Sequence, residues 1–225
     1  MNESDRTADR AARTAERTPS RAAIERRLAL VQSRVDPIDR LLAEVEGPVT
    51  AELREWLARP QRDAAVLLAL IDRPAGWTML FTERAQHLAH HPGQVSFPGG
   101  RIDEREDVIH AALREAWEEV RMPQSAVEVA GRLPTHVTGT GFSVTPVVGF
   151  VCGDFSPEPD PGEVANVFEV PLDVVLAPGA LRTTYRERLG SRFRVYELEH
   201  SGRLIWGATA AMLKTFIEVL TDEPA

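Results

Sequence analysis

The chain has 225 residues, a formal net charge of −8 and a hydrophobic content of 43%, which suits one large domain with a real core. The acidic balance argues against a general nucleic-acid binder, because phosphate backbones need clustered Lys and Arg. A single cysteine, Cys152, excludes an internal disulfide framework and a Cys zinc site, and its place after an apolar run reads as a core position.

Residues 1 to about 26 mix Arg, Ala, Glu, Asp and Thr, with Ile24 the first aliphatic residue after the initiating Met. Such a segment buries too little apolar area to offset chain entropy. We expect a flexible or partly helical N-terminal tail over residues 1–35 and a single folded domain over 36–222. The N-terminus lacks the apolar segment of a signal peptide, and no run of about 20 apolar residues could span a membrane, so the cytoplasm is the expected location. Helical spacing appears at Ile38, Leu41, Leu42 and Val45 and again at Leu53, Trp56 and Leu57, with Gly47-Pro48 between the two runs and Pro60 after the second. Ala64 to Ile71 is a continuous apolar run of strand length. A turn at Asp72–Gly76 and a second strand from Trp77 to Thr82 make it a hairpin. The polar stretch Arg84–His91 carries His87, His90 and His91, which read either as a metal cluster or as solvated loop histidines. Gln94 to Phe97 is a short strand feeding a Pro98-Gly99-Gly100 turn.

A helix follows. On it Glu115, Glu118 and Glu119 share one arc, while Ile109, Leu113, Ala116, Trp117 and Val120 share the opposite one. Like charges at this spacing cost roughly 0.2–0.5 kcal/mol per pair, which Arg114 offsets in part and a divalent cation would offset far more. A Glu-rich helix can be no more than a solvated acidic face. Here, however, Gly100, Glu106, Arg114-Glu115 and Glu118-Glu119 stand at fixed intervals, and this pattern resembles the signature box of the Nudix hydrolases. It departs from that box at Arg121, where the family usually has Gly. Arg suits the negative end of the helix dipole, and Pro123 blocks continuation.

Beyond the helix, Val127–Leu133 and Ser143–Val151 read as strands, separated by a loop at Thr138–Gly141 that suits either a ligand approach or a plain turn. Asp154–Gly162 is a Pro-rich acidic loop. Glu163–Glu169 leads into a short helix at Pro171–Leu176. Arg192–Leu198 with Leu204–Trp206 makes a final hairpin, and Thr209–Leu220 an amphipathic helix. Intermixed strands and helices imply an α/β fold with a mixed sheet covered by helices. The Nudix resemblance, which extends from about Ala64 to Leu220, implies the same thing: an α/β/α sandwich.

The resemblance also implies a metal-dependent pyrophosphohydrolase using Mg²⁺ or Mn²⁺. On that reading Glu115, Glu118 and Glu119 are metal ligands, Arg114 orients a neighbouring carboxylate, and Glu106 braces the loop. Gly99 and Gly100 let the backbone approach the substrate. The general base is Glu115 or, from a distant loop, Glu163, which also reads as a mere helix-start acid. Leu80–Ala85 and Gly93–Gly100, with Val144–Gly149 and Ile205–Ala210, look like the motifs of the coenzyme A pyrophosphatase branch. That branch implies hydrolysis of coenzyme A or acyl-CoA to 3′,5′-ADP and 4′-phosphopantetheine, with Arg84 as a substrate-binding cation. It expects Arg where this chain has Ala89, for which His90 or His91 would compensate. A homodimer is left open. The competing readings are a Nudix hydrolase of ADP-ribose, a dinucleotide or a nucleoside triphosphate, and a silent Nudix-fold binding module.

Overall fold

The computed structural model describes residues 18–31, 35–89 and 91–221, so residues 1–17 of the expected tail and His90 lie outside the described residues. The chain opens with α1 (Arg21–Ala29), α2 (Pro37–Leu42), β1 (Val45–Glu46) and α3 (Ala51–Leu57). Each helix has a sequence-encoded start: the side chains of Ser20, Asp36 and Thr50 accept from backbone N–H groups at the three N-termini. Ile24 and Leu28, one turn apart on α1, are both buried, so this helix is docked on the core.

The main sheet is built around β2 (Arg62–Arg73). It forms the expected hairpin with β3 (Gly76–Arg84), in register from Leu70↔Met79 to Arg73↔Gly76. β4 (Val95–Ser96) adds to β3. The N-terminal half of β2 takes β5 (Gly99–Arg101) as an antiparallel partner, Val66 facing Gly99 and Ala65 facing Gly100. Next come α4 (Val108–Val120), which carries the acidic arc, then β6 (Val127–Arg132), β7 (His136–Val137) and β8 (Phe142–Val151). β8 runs parallel to β2 from Arg62↔Phe142 to Ile71↔Val151 and is flanked by β6 and β7. β9 (Val164–Pro171) closes the other side against β3 and runs into α5 (Leu172–Val175). The sheet is therefore mixed, as expected.

The unbroken apolar run of β2 follows from burial on both faces. Ala65, Leu67, Ala69 and Ile71 pack beneath Ala111, Ala112, Ala116 and Val120 of α4. Ala64, Leu68 and Leu70 pack on the other face with Ile24, Leu28 and the C-terminal helix α6 (Ala208–Thr221), which contributes Ala210, Leu213, Phe216 and Leu220. A second, smaller sheet holds β10 (Arg182–Arg188), β11 (Ser191–His200), β12 (Arg203–Trp206) and β1, with the expected β11–β12 hairpin in register from Glu197↔Trp206 to His200↔Arg203. Among the described residues no helix is long and apolar enough to cross a membrane.

Three expectations are corrected. Cys152 is exposed, not in the core: it lies just past the end of β8, and its thiol donates to Glu128 Oε1 at 3.0 Å. Trp117 is 45% exposed although its position on the helical wheel is apolar. The close approach of α4 to β2 is made by small residues, Ala112 and Ala116, which leaves the indole at the flank under the Arg121 guanidinium. Glu119, placed by periodicity on the acidic arc, is buried.

Candidate active site

The site is assembled where β5 passes beneath α4. The Leu67 N–H donates to the Pro98 carbonyl at 2.8 Å, which locks the Pro-Gly-Gly turn onto the central strand. Asp107 caps α4 by accepting from the N–H groups of Ile109 (2.8 Å) and His110 (3.0 Å). At the other end Arg121 takes a left-handed conformation with φ 56°, and the Met122 N–H reaches back to the Ala116 carbonyl at 3.2 Å. That is the helix stop the usual Gly would make, here built with Arg.

Glu115 and Glu119, one turn apart, project over the turn. A Cβ on Gly100 would sit 2.5 Å from the Glu115 carboxyl carbon, so the absent side chain is what makes room for that carboxylate. Arg114 organises the acids around it. It grips Glu106 with two bonds of 2.9 Å, Nε to Oε1 and Nη2 to Oε2, while Nη1 donates to Glu115 Oε1 (2.9 Å) and Glu118 Oε2 (3.0 Å). Nη2 also donates to the Arg101 carbonyl at 2.9 Å, tying the helix to the end of β5. Arg114 holds the Glu106 carboxyl below the usual range, and Glu106 in turn accepts the Asp103 N–H at 3.1 Å, so it braces the loop.

Glu119 is 3% exposed, and its Oε2 has no hydrogen-bond partner among the described residues. Burial, then the neighbouring Glu115 charge, push its pKa up to about 8; Glu163 adds to the rise, while Arg84 and the Gly99 backbone N–H oppose it. Burial also raises the pKa of Glu115, against the pull of Arg114. The Pro-rich loop is fastened to the end of the same helix. The Glu158 N–H donates to the Val120 carbonyl (3.0 Å) and the Asp160 N–H to the Glu119 carbonyl (2.9 Å), so the loop closes over the last turn of α4. Asp160 then turns the chain: its Oδ1 accepts the Gly162 N–H (2.8 Å) and its carbonyl accepts from Glu163 (3.1 Å) and Val164 (2.8 Å). Arg121 reaches Asp160 Oδ2 at 3.4 Å.

This turn brings Glu163 within electrostatic reach of Glu115 and Glu119. Glu163 is exposed and starts no helix, since β9 follows it. The loop after β3 is stitched to the same turn, with the Ala85 N–H donating to the Glu163 carbonyl (2.8 Å) and His87 Nε2 to the Gly162 carbonyl (3.1 Å). The structure thus brings Glu115, Arg84, Glu163 and the Gly99 N–H to bear on Glu119, with Gly100 beneath Glu115 and Arg114 holding Glu115 from the other side. Glu118 sits at the rim, its side chain 51% exposed. His87 is occupied with a backbone carbonyl and His91 is exposed, so no histidine cluster forms among the described residues. Arg121 stands at the helix end as its charge suggested, but its pairing with Asp160 was not expected. The Asp-Pro-Gly run at 160–162 is a turn signature that could have pointed to Asp160.

Carboxylate oxygens are hard donors, and an orphaned buried carboxyl oxygen beside a second buried carboxylate is costly unless something positive meets it. Glu119 with Glu115, and Glu118 at the rim, fit a hard divalent cation on those grounds. Arg114 engages Glu115 and Glu118, and among the described residues no three such side chains yet converge on one point.

The two glycines of the turn should respond differently to Ala. On Gly99 a Cβ would lie 2.6 Å from the Val66 Cα, in the backbone of the central strand, which cannot move aside. On Gly100 it meets only a side-chain end. Gly99→Ala is expected to destabilise by about 1–3 kcal/mol. Gly100→Ala should stay within about 1 kcal/mol of the parent yet lose at least about tenfold in turnover, because Glu115 is displaced. Denaturant unfolding and initial rates on both variants check this; equal stability losses would contradict it.

Comparison with known proteins agrees with this geometry. The NUDIX domain family matches residues 60–189. An uncharacterized Nudix hydrolase NudL from Pectobacterium atrosepticum is 41% identical over 165 residues, covering 73% of this chain and 85% of the relative. Its Escherichia coli counterpart is 42% identical over 170 residues, covering 72% and 88%. Among solved structures, a Nudix hydrolase from M. smegmatis, RenU, superposes with a TM-score of 0.51 at 22% identity over 74% of this chain and 90% of that one, a likeness of fold.

Proposed function

Because the chain belongs to the Nudix family and is a Nudix hydrolase acting on pyrophosphate bonds, we propose that it cleaves the diphosphate of coenzyme A or an acyl-CoA. The products are 3′,5′-ADP and 4′-phosphopantetheine or its acyl form. The observation that carries this reading is the placement of the stretch that runs from the end of β3 into β5. Its Leu80–Ala85 and Gly93–Gly100 stretches resemble the coenzyme A branch. The same segment supplies Arg84, whose charge acts on the buried Glu119, and Gly99–Gly100 beneath α4. In an acidic protein Arg84 is a local cation suited to a phosphate.

Glu115, Glu118 and Glu119 would hold Mg²⁺ or Mn²⁺, which when bound neutralises the diphosphate charge and helps generate the nucleophile. The chain's own groups do the rest. Gly99 and Gly100 let the turn lie tight against β2 and leave room for the Glu115 carboxylate. Arg114 keeps Glu115 and Glu118 in place. Water forms a new P–O bond as the bridging P–O bond breaks, and a carboxylate takes the water's proton. Glu115 and Glu163 are the candidates for that base. Replacing each by Gln separates them: the true base loses rate and its limb of the pH–rate profile. A Glu163→Gln enzyme with unchanged rate and profile would remove Glu163 from the chemistry.

The branch expects Arg at the position of Ala89, so a 3′-phosphate would have to be met by Arg84 or by a histidine of the same loop. The reading is tested by a Mg²⁺- or Mn²⁺-dependent panel of coenzyme A, dephospho-CoA, ADP-ribose and a nucleoside triphosphate, compared by kcat/KM. Coenzyme A should be the best of the four. Preference for ADP-ribose or the triphosphate would overturn the substrate while leaving the family intact.

A further inference from the structure

Glu163 is an exposed residue between a Pro-rich loop and β9, yet its backbone is held on both sides. Its carbonyl accepts the Ala85 N–H at 2.8 Å, and its N–H donates to the Asp160 carbonyl at 3.1 Å. Ala85 follows Arg84, so the first bond ties Glu163 to the segment that carries this cation. The second leads to the acidic helix, because the Asp160 N–H donates to the Glu119 carbonyl at 2.9 Å. Asp160 is therefore a joint, with its N–H on Glu119 and its C=O on Glu163.

The Asp160 side chain closes the joint. Its carbonyl accepts from both Glu163 and Val164, so the chain folds back at once after Asp160. Asp followed by Pro suits the first two positions of such a turn. Oδ1 accepts the Gly162 N–H at 2.8 Å and locks the turn from inside. A Cβ on Gly162 would stand 3.0 Å from that oxygen, so the missing side chain leaves it room. The other oxygen is less important. Oδ2 meets Arg121 at 3.4 Å with the two side chains 38% and 42% exposed, and an ion pair in that setting contributes little. What holds the turn is the Oδ1 acceptor rather than the charge.

We propose that Asp160 is a positioning residue, which through Oδ1 sets the turn that keeps Glu163 in place beside Glu119. A base must stay within about 3 Å of the proton it takes, and a misplacement of about 1 Å costs on the order of 100-fold. An exposed Glu on a free loop would not keep that distance, and the joint supplies it. The inference rests on the reading of Glu163 as the base.

The parent is compared with Asp160→Ala, Asp160→Asn, Glu163→Gln and the Asp160→Ala/Glu163→Gln double variant. The substrate is the best of the four-compound panel, with Mg²⁺ saturating, and each rate is read below that variant's unfolding midpoint. Asp160→Ala should lose about tenfold in kcat, with KM and the Mg²⁺ midpoint within about twofold of the parent. Asp160→Asn keeps an oxygen acceptor without the charge and should recover most of the lost rate. In the Glu163→Gln background Asp160→Ala should cost nothing further, because the two act as one unit. Losses that multiply in the double variant, or a weakened Mg²⁺ midpoint, would show Asp160 acting by another route and overturn the proposal. Asp160→Asn as slow as Asp160→Ala would overturn the role of Oδ1. Parental kcat in Asp160→Ala beside a slow Glu163→Gln would overturn the positioning role and leave Glu163 as the base. A parental Glu163→Gln would instead overturn the base reading, and the positioning role with it.

Discussion

Glu119→Gln is expected to lower kcat on the order of 10²–10³ while leaving the protein folded. The loss follows from removing a negative oxygen donor from the buried centre of the acidic arc. The stability consequence has the opposite sign from an ordinary core lesion. In the metal-free protein Glu119 has its pKa raised to about 8 by burial and by Glu115. Below about pH 4.5, the ordinary value, folded and unfolded chains are both protonated and the group costs nothing. As pH rises from there towards 8 the unfolded chain loses the proton and the folded chain keeps it, so stability falls, by on the order of a few kcal/mol over the window. Gln is neutral throughout and lacks this slope. Unfolding midpoints between pH 5 and 8.5 without divalent metal should therefore fall less steeply for Glu119→Gln than for the parent. Added Mg²⁺ should restore the parent at high pH far more than the variant. Parallel slopes, or parental turnover at limiting Mg²⁺, would remove Glu119 from the site.

Arg114→Ala should damage both fold and function. The guanidinium, 25% exposed, is shared by Glu106, Glu115, Glu118 and the Arg101 carbonyl. Taking it away leaves Glu106 and Glu115, both largely covered, without the cation that pairs them. Breaking a buried pair by removing one member costs about 3–5 kcal/mol in full burial, and about 2–4 kcal/mol is expected at this partly open position. Turnover should fall about 100-fold or more, because Glu115 loses the bond that aims it. Arg114→Lys keeps the charge but cannot reproduce the two-bond grip on Glu106, so it should recover only part of the stability. Urea unfolding and initial rates on the two variants check this. Full recovery of both by Lys would show that charge alone, not the fork, is what the site needs.

Much of this site was legible because the box fixes residue types where geometry is strict. Gly100 makes room for Glu115, and Arg114 lies one turn from Glu118 with its fork on Glu106. The hairpin, the parallel-capable strand at Ser143–Val151 and the C-terminal helix were legible for another reason: their apolar faces are broad and unbroken. What was not legible depended on contacts between distant segments. Periodicity located Glu119 on α4, but its burial beside Gly99, Arg84 and Glu163, which come from other segments, is announced by no local pattern. β10 went unseen because it is exposed along nearly its whole length, pairs through β11 alone, and alternates no apolar face. Trp117 misled because an indole is apolar by type, whereas the face of α4 that meets β2 is filled by Ala112, Ala116 and Val120 and leaves Trp117 at its flank.

The central claim is that this carboxylate site hydrolyses the diphosphate of coenzyme A. The most direct test is to identify the products by mass spectrometry after incubating the enzyme with coenzyme A and Mg²⁺ or Mn²⁺. The account predicts 3′,5′-ADP and 4′-phosphopantetheine in equal amounts, formed only with the metal present and lost in Glu119→Gln. Coenzyme A recovered intact, under conditions where the same preparation consumes ADP-ribose or a nucleoside triphosphate, would contradict it.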